Sequence, residues 1–300
     1  MGEITNPVYA ELVALGAVDP KGVKKIRDRT RDLPVPVYRD ETFQVIFLES
    51  CETSKSYYEA GKQEDRQDSQ ALTYFADGSV IMTDSLEDAE RRCTQFADRI
   101  AGRTICDFGC AQGSFLERAA KAAGEAYGVE LRDNCLARIA AEQPEVRTAK
   151  DIRDFGISFD LVTLFHVLEH IPAQVALLER IRAALKPGGE IVVEVPHARD
   201  ILIKVLEFRD FTFWSEHLVL HTRESLQAVI AAAGFEEIAI EGFQRYGYTN
   251  HLCWFVEGKP GGHVTYKGYE DAALDAAYRD YLLRRDATDT LIATARNPAE

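Results

Sequence analysis

The segment Thr104-Ile105-Cys106-Asp107-Phe108-Gly109-Cys110-Ala111-Gln112-Gly113-Ser114-Phe115 constrains this chain most. An apolar run breaks at two glycines and restarts as Phe115-Leu116-Glu117-Arg118-Ala119-Ala120. That pattern predicts a strand, a tight turn and a helix. Gly109 is suited to positive φ at the turn, and Gly113 would let another molecule approach the backbone closely. N–H groups of the helix's first turn then face the turn and favour an anion there. Glu130 closes a second apolar run, Ala126-Tyr127-Gly128-Val129. It stands about 20 residues beyond the glycines, the offset of a ribose-binding acid in dinucleotide folds. The glycines read G-x-x-x-G, however, and a lone turn of this kind is more often a plain connection.

Three hundred residues suit one large domain or two unequal ones. Net charge is 35 − 49 = −14, so the basic footprint of a nucleic-acid binder is missing from the chain as a whole. No apolar run reaches membrane-spanning length, no signal-peptide pattern stands at the start, and Asn6 fails the myristoylation pattern. The six cysteines contain no C-x-x-C, which fits buried reduced thiols and a cytoplasmic location.

From Arg103 onward, apolar runs near 104–108, 126–131, 146–149, 159–165 and 190–195 alternate with helical segments near 114–123, 133–142 and 173–185. Alternation of this kind implies a parallel sheet covered on both faces. Thr222 is placed to cap a helix that Gly234 ends. Two further strands are expected at 237–243 and 252–256, and 269–295 reads as a terminal amphipathic helix. Before the core, 43–48 reads as a short strand, and the basic stretch 21–31 as a solvated helix or loop face. Residues 51–80 are polar with interspersed aromatics, Tyr58 among them, the composition of a lid or of ordinary packing. Three regions follow: 1–84, an accessory or lid region; 85–257, the core; and 258–300, a helical extension.

Ligands of open α/β sheets bind beyond the carboxyl ends of the strands. The residues there are Gly109 to Gly113, then Glu130 and Leu131, then Asp151 and Ile152, then Phe165 to His170, then Val195 to His197. Taken singly, Glu130 is a strand-end carboxylate and Asp151 a turn cap. Jointly, their spacing and position point to one ligand.

Asp107-Phe108-Gly109-Cys110-Ala111-Gln112-Gly113 resembles motif I of the class I S-adenosylmethionine-dependent methyltransferases. Glu130, Asp151-Ile152, Val167-Leu168-Glu169-His170-Ile171-Pro172 and Leu185-Lys186-Pro187-Gly188-Gly189 follow in that family's order. The resemblance covers about 103–257. It implies a Rossmann-like α/β fold, with a seven-stranded, mostly parallel sheet and helices on both faces, plus the N-terminal accessory region and the C-terminal helix. It also implies S-adenosylmethionine as cofactor. Asp107, Gly109, Cys110, Ala111, Gln112 and Gly113 would hold its methionine end. Glu130 would accept the two ribose hydroxyls, Asp151 would accept from the adenine amino group with Ile152 and Leu131 packing on the ring, and Phe165 and His166 would be further cofactor contacts. Glu169-His170 resembles a stretch of ubiquinone-pathway O-methyltransferases that can hold a metal through Glu, Glu and His. His166 stands in place of the first Glu, so no metal is expected.

Phe208 to Leu218 resembles a segment of sugar methyltransferases in which a histidine is the proposed base. This implies His217 as base, with His170 and His166 as further catalytic candidates. Tyr58, Trp214, Glu216 and His221 are the expected substrate contacts, and His251 is a weaker candidate. Arg209, Arg245 and Lys259 are solvated cations or phosphate contacts. The expected reaction is methyl transfer to a hydroxyl of a sugar or sugar-containing metabolite, with C- or N-methylation, or a non-catalytic cofactor-binding partner, as alternatives. Nucleic-acid methyltransferases carry an Asn/Asp-Pro-Pro-aromatic motif after strand four, which Phe165-His166-Val167-Leu168 does not match. A nicotinamide-dependent reductase is disfavoured by the glycine spacing. The expected partner is a small-molecule acceptor, without nucleic acid or membrane, and a homodimer is one assembly open to the chain.

Overall fold

The computed structural model describes residues 3–52, 71–74, 80–83 and 86–299. Helix α1 (Pro7–Ala14) begins where Asn6 caps it, with Oδ1 accepting from Val8 N at 3.0 Å and Pro7 in the first turn. The Asn6 amide also donates to the carbonyls of Leu48 and Leu218 at 3.0 and 2.8 Å. Strands β1 (Val23–Arg27), β2 (Val37–Asp40) and β3 (Ile46–Leu48) form antiparallel pairs. The basic stretch is therefore partly a strand, and its Lys24 and Lys25 face solvent. Strands β4 (Ala71–Tyr74) and β5 (Val80–Thr83) make a separate hairpin.

The core begins with α2 (Leu86–Gln95) and the short α3 (Ala97–Ile100). It continues as β6 (Thr104–Phe108), α4 (Ser114–Ala119), β7 (Glu125–Val129), α5 (Asp133–Glu142), β8 (Val146–Ala149) and β9 (Phe159–Phe165). Then come α6 (Gln174–Ala184), β10 (Leu185–Pro196), α7 (Leu206–Thr212), β11 (Val219–Leu220), α8 (Arg223–Ala232) and β12 (Glu236–Phe243). The chain closes with α9 (Tyr248–Glu257), α10 (Gly262–Thr265), α11 (Ala272–Arg284) and β13 (Thr290–Arg296). Thr222 caps α8 as expected, in a reciprocal capping box with Ser225, and Gly234 ends it at φ +83°.

The seven-stranded sheet runs β12-β13-β10-β9-β6-β7-β8. β6 to β10 are parallel, and β13 lies antiparallel between β10 and β12. Successive side chains alternate between two hydrophobic clusters. Val162, Ile191 and Val193 join the larger; Leu161, Val192 and Ile292 join the other. Both faces are thus buried, as the near-continuous apolar strands require.

Two expectations need correction. The 252–256 run lies in α9, where His251, Cys253 and Trp254 are buried while Phe255 and Val256 face solvent. An apolar run of five residues does not distinguish helix from strand. The 269–295 helix stops at Arg284, and the seventh strand is β13, whose residues 290–295 are mostly buried. The N-terminal residues are also not a free-standing unit. β11 pairs with β3, and Leu12, Phe47 and Leu220 share one hydrophobic cluster with Val193 of the main sheet.

Candidate active site

At the carboxyl end of β6, Gly109 has φ +80°, and a Cβ there would meet Val167 Cγ2 at 2.5 Å. Ala111 also takes positive φ, +48°, which keeps the turn tight. Gly113 starts α4 at φ +81°, and its added Cβ would strike the Gln143 side chain at 2.8 Å. This corrects one expectation, since the space over Gly113 is filled by helix α5 of the protein itself. Helix α4 has only six residues, so an anion there would meet first-turn N–H groups with little macrodipole behind them.

Glu130 closes β7 and is buried. Its Oε2 accepts from Ala111 N at 3.0 Å, and its Oε1 from Leu131 N at 2.9 Å and Arg132 N at 3.0 Å. The Arg132 guanidinium reaches both oxygens. One carboxylate thereby ties the glycine turn to the end of β7. Asp107 lies beneath the turn, 5% exposed, and accepts from Thr163 Oγ1 of β9 at 2.7 Å. Burial pushes its carboxyl up to about 7, against the lowering effect of Thr163 and Arg92. Asp151 caps a short turn over 152–155 and pairs with Arg153 at 2.8 Å, which holds its pKa down at about 2. Ile152 is buried in the core, and Leu131 is partly buried. Cys110 is buried, its backbone N–H bonded to Val129 O, and the Gln112 side chain is met by Arg138. Burial raises the Cys106 and Cys110 thiols.

At the end of β9, the Phe165 ring sits edge-on to Phe115 at 5.0 Å, under the Arg92 guanidinium. His166 turns to φ +55° and places its ring between two carboxylates. Nδ1 is 3.3 Å from Glu169 Oε1, and Nε2 is 3.2 Å from Glu194 Oε1. Arg245 Nη1, which can only donate, also lies 3.5 Å from Nε2, so the two carboxylates favour the protonated ring against this neighbouring cation. Burial opposes that charge, but the hydrogen bonds and charges of Glu169 and Glu194 outweigh it and raise the pKa. Glu194 is itself fully buried and is held further by Arg91 and Arg92. His166 therefore links the end of β9 to β10 through Glu169 and Glu194.

Glu169 is fully buried in the turn after β9. Leu218 N donates to its carbonyl at 2.9 Å, and His170 Nδ1 stands 3.0 Å from the Glu216 carbonyl. These two bonds bring the 214–218 segment onto the turn and set the His170 and His217 rings edge to face at 4.9 Å. Donor atoms of Glu169, His170 and His217 lie within 4.8 Å of one another. Glu169 Oε2 and His217 Nδ1 are buried without a hydrogen-bond partner. Burial would raise the Glu169 carboxyl, but His166 and the neighbouring imidazoles hold it at about 2. Burial and the nearby His170 push His217 down to about 4, so its ring is neutral at pH 7.

A methyltransferase-domain family model matches residues 85–240, just over half of the chain. The chain belongs to this methyltransferase family. It is 27% identical over 185 residues to a ubiquinone biosynthesis O-methyltransferase of Idiomarina loihiensis, covering 56% of this chain and 74% of that one. It is also 27% identical over 202 residues to a probable S-adenosylmethionine-dependent methyltransferase of Mycolicibacterium smegmatis, covering 63% and 72%. Among solved structures, an S-adenosylmethionine-dependent methyltransferase from Archaeoglobus fulgidus superposes with a TM-score of 0.50. That match has 18% identity and covers 71% of this chain and 95% of the other, a likeness of fold. S-adenosylmethionine is the methyl donor of this methyltransferase. The glycine turn and Glu130, tied together by the Ala111 N–H, lie at the carboxyl ends of β6 and β7, with Asp151 just beyond β8, where such a donor fits.

On the acceptor side of the methyltransferase, the expected contacts scatter. Trp214 is partly buried, and Arg31 stacks across both it and Phe211. Phe208 and Phe211 pack on Trp254. Glu216 contributes its carbonyl to His170. His221 is fully buried with Nδ1 at 3.0 Å from Ser225 Oγ, a place in the core rather than at a substrate. His251 bonds Tyr278 and Gln244. Arg209 reaches the Ile203 carbonyl, Arg245 pairs with Asp88, and Lys259 with Glu257, so each of these three cations has a partner within the protein. Tyr58 lies outside the described residues. Among the described residues, no helix is long and apolar enough to cross a membrane. Glu169, placed by the sequence in a stretch resembling a metal-holding one, is the carboxylate on which the three histidines converge.

Proposed function

We propose that this methyltransferase transfers a methyl group to a hydroxyl of a small-molecule acceptor docked over His170 and His217. The observation that carries this is the convergence of Glu169, His170 and His217 one strand away from the glycine turn. S-adenosylmethionine supplies a methyl already made electrophilic by its sulfonium. The chain's own task is to hold the acceptor in line and keep water out, and such positioning can supply ~7–11 kcal/mol. Glu130 takes the two ribose hydroxyls, for which Arg132 must share or yield its place. The Gly109–Gly113 turn receives the methionine end, and Asp151 and Ile152 border the adenine.

A hydroxyl is a weak nucleophile at neutral pH, so removing its proton is worth roughly 10²–10⁴-fold. That proton leaves on the His170–His217 side, since His166 keeps its own. Oxygen as the methylated atom is favoured by the Idiomarina relative, whose name also makes an intermediate of ubiquinone biosynthesis one acceptor to test. A sugar hydroxyl rests on the likeness of 208–218 alone, where the aromatic faces are largely covered by Arg31 and Trp254. The test is methyl transfer from labelled S-adenosylmethionine to a panel of both acceptor types, read as demethylated cofactor released. Tight cofactor binding without turnover on any hydroxyl acceptor would refute O-methylation and favour a non-catalytic binder.

A further inference from the structure

We propose that Glu169, His170 and His217 bind a divalent transition-metal cation. The inference rests on the O-methyl transfer proposed above and deepens it, and it departs from the sequence expectation of no metal. Position 166, a ligand in the resemblance, is not part of the donor set. Its imidazole is spent between Glu169 Oε1 and Glu194. The third donor comes instead from His217, 47 residues beyond His170, delivered by the Leu218–Glu169 and His170–Glu216 backbone contacts.

Two features of the cluster fit a cation. First, a buried carboxylate oxygen and a buried ring nitrogen, Glu169 Oε2 and His217 Nδ1, have no partner. Leaving such groups unsatisfied costs ~1–3 kcal/mol each, and more for a charged one. A cation held by this cluster would give such atoms a partner. Second, the supporting bonds of a metal site are already in place. The Glu216 carbonyl holds His170 Nδ1, which turns Nε2 toward Glu169 Oε1 at 3.9 Å, and His166 holds the other face of the Glu169 carboxylate. Two imidazoles and one carboxylate suit zinc, iron, cobalt or manganese rather than magnesium, and leave coordination positions open to a hydroxyl. A bound hydroxyl loses its proton more readily, which is the chemistry the ion would supply. His217 is then a ligand, replacing its expected role as a free base.

The test uses the full chain, stripped by chelator and titrated with cobalt(II), with d–d absorption and calorimetric stoichiometry as readouts. One cobalt per chain is expected, with ligand-field bands characteristic of nitrogen and oxygen donors. His217→Asn should weaken cobalt binding beyond the roughly 10–100-fold that loss of an outer-shell partner costs. Glu169→Gln should do the same, and circular dichroism verifies that each variant is folded. If Glu169→Gln fails to fold, His170→Asn takes its place. His263→Asn, at an exposed site, should leave the titration unchanged. No cobalt uptake by folded wild type, with a water left to fill the cluster, overturns the proposal, as do bands that survive in both ligand variants. Cobalt bound without methyl transfer would keep the site and sink the O-methylation reading. Methyl transfer unaffected by chelation would keep that reading and sink the site.

Discussion

Asp107→Asn isolates the cost of a carboxyl buried beneath the cofactor turn. In the folded protein Asp107 keeps its proton up to about pH 7, because burial raises its pKa to about 7. In the unfolded chain it ionises near ~3.9. Between those values the unfolded state binds fewer protons than the folded one, so stability falls as pH rises, and it levels off above about pH 7. A shift of ~3 units at 1.36 kcal/mol each makes the wild type about 4 kcal/mol less stable at about pH 8 than at about pH 3 through this group alone. Asparagine stays neutral throughout, and its Oδ1 can still accept from Thr163 Oγ1, the 2.7 Å bond that joins β6 to β9. Urea unfolding of both proteins across this range should show the variant gaining on the wild type by about 4 kcal/mol as pH rises. The gain should complete near neutrality. A difference that stays constant across the range would mean that Asp107 ionises freely and that the turn is solvated from below.

Three further outcomes follow from the site. Glu130→Ala removes the acceptor of two charge-assisted hydrogen bonds, ~1.5–3 kcal/mol each, so the Kd for demethylated cofactor should rise by at least ~10-fold in calorimetry. An unchanged Kd would remove Glu130 from the cofactor site. His217→Ala should lower kcat by roughly 10²–10⁴-fold while cofactor affinity stays within about 2-fold; an equal loss in both would place His217 in cofactor binding instead. Glu194→Gln leaves Arg91, Arg92 and His166 facing one another around a neutral group and should cost ~3–5 kcal/mol of stability. It should also lower the His166 pKa, seen as an earlier loss of its ring proton in an NMR titration, and an unmoved His166 titration would refute the bridge.

The five parallel strands were legible because each is an apolar run ending at a glycine or a polar turn, and the runs recur with helical segments between them. The end of the sheet was not. Leu252 to Val256 and Leu291 to Ala295 are both short apolar runs, and local pattern favours the first. What decides is pairing: β13 finds a free edge of β10, roughly a hundred residues earlier, along Glu190 to Pro196, and buries both its faces there. That is a long-range gain, invisible to any window of sequence. The glycine turn and the acid at the end of the next strand were legible by spacing, and packing beneath and beside the turn was not. Gly113 is a glycine because Gln143 and Ile139 occupy the space of a side chain, and Asp107 serves Thr163 beneath the turn.

The histidines show why residue type identifies chemistry more readily than role. His166, His170 and His217 were each singled out as catalytic, and all three converge on Glu169, as a shared carboxylate requires. What separates them is which ring nitrogen already has a partner. His166 spends both nitrogens on carboxylates, so its charge is fixed and it works as a fastener between β9 and β10. His170 gives one nitrogen to a backbone carbonyl, which sets its tautomer and aims the other. His217 keeps a buried nitrogen without a hydrogen-bond partner, and Glu169 keeps a buried oxygen in the same condition. Each such atom costs stability, and it is this cost that makes the cluster the place to look for the acceptor or an ion that meets it.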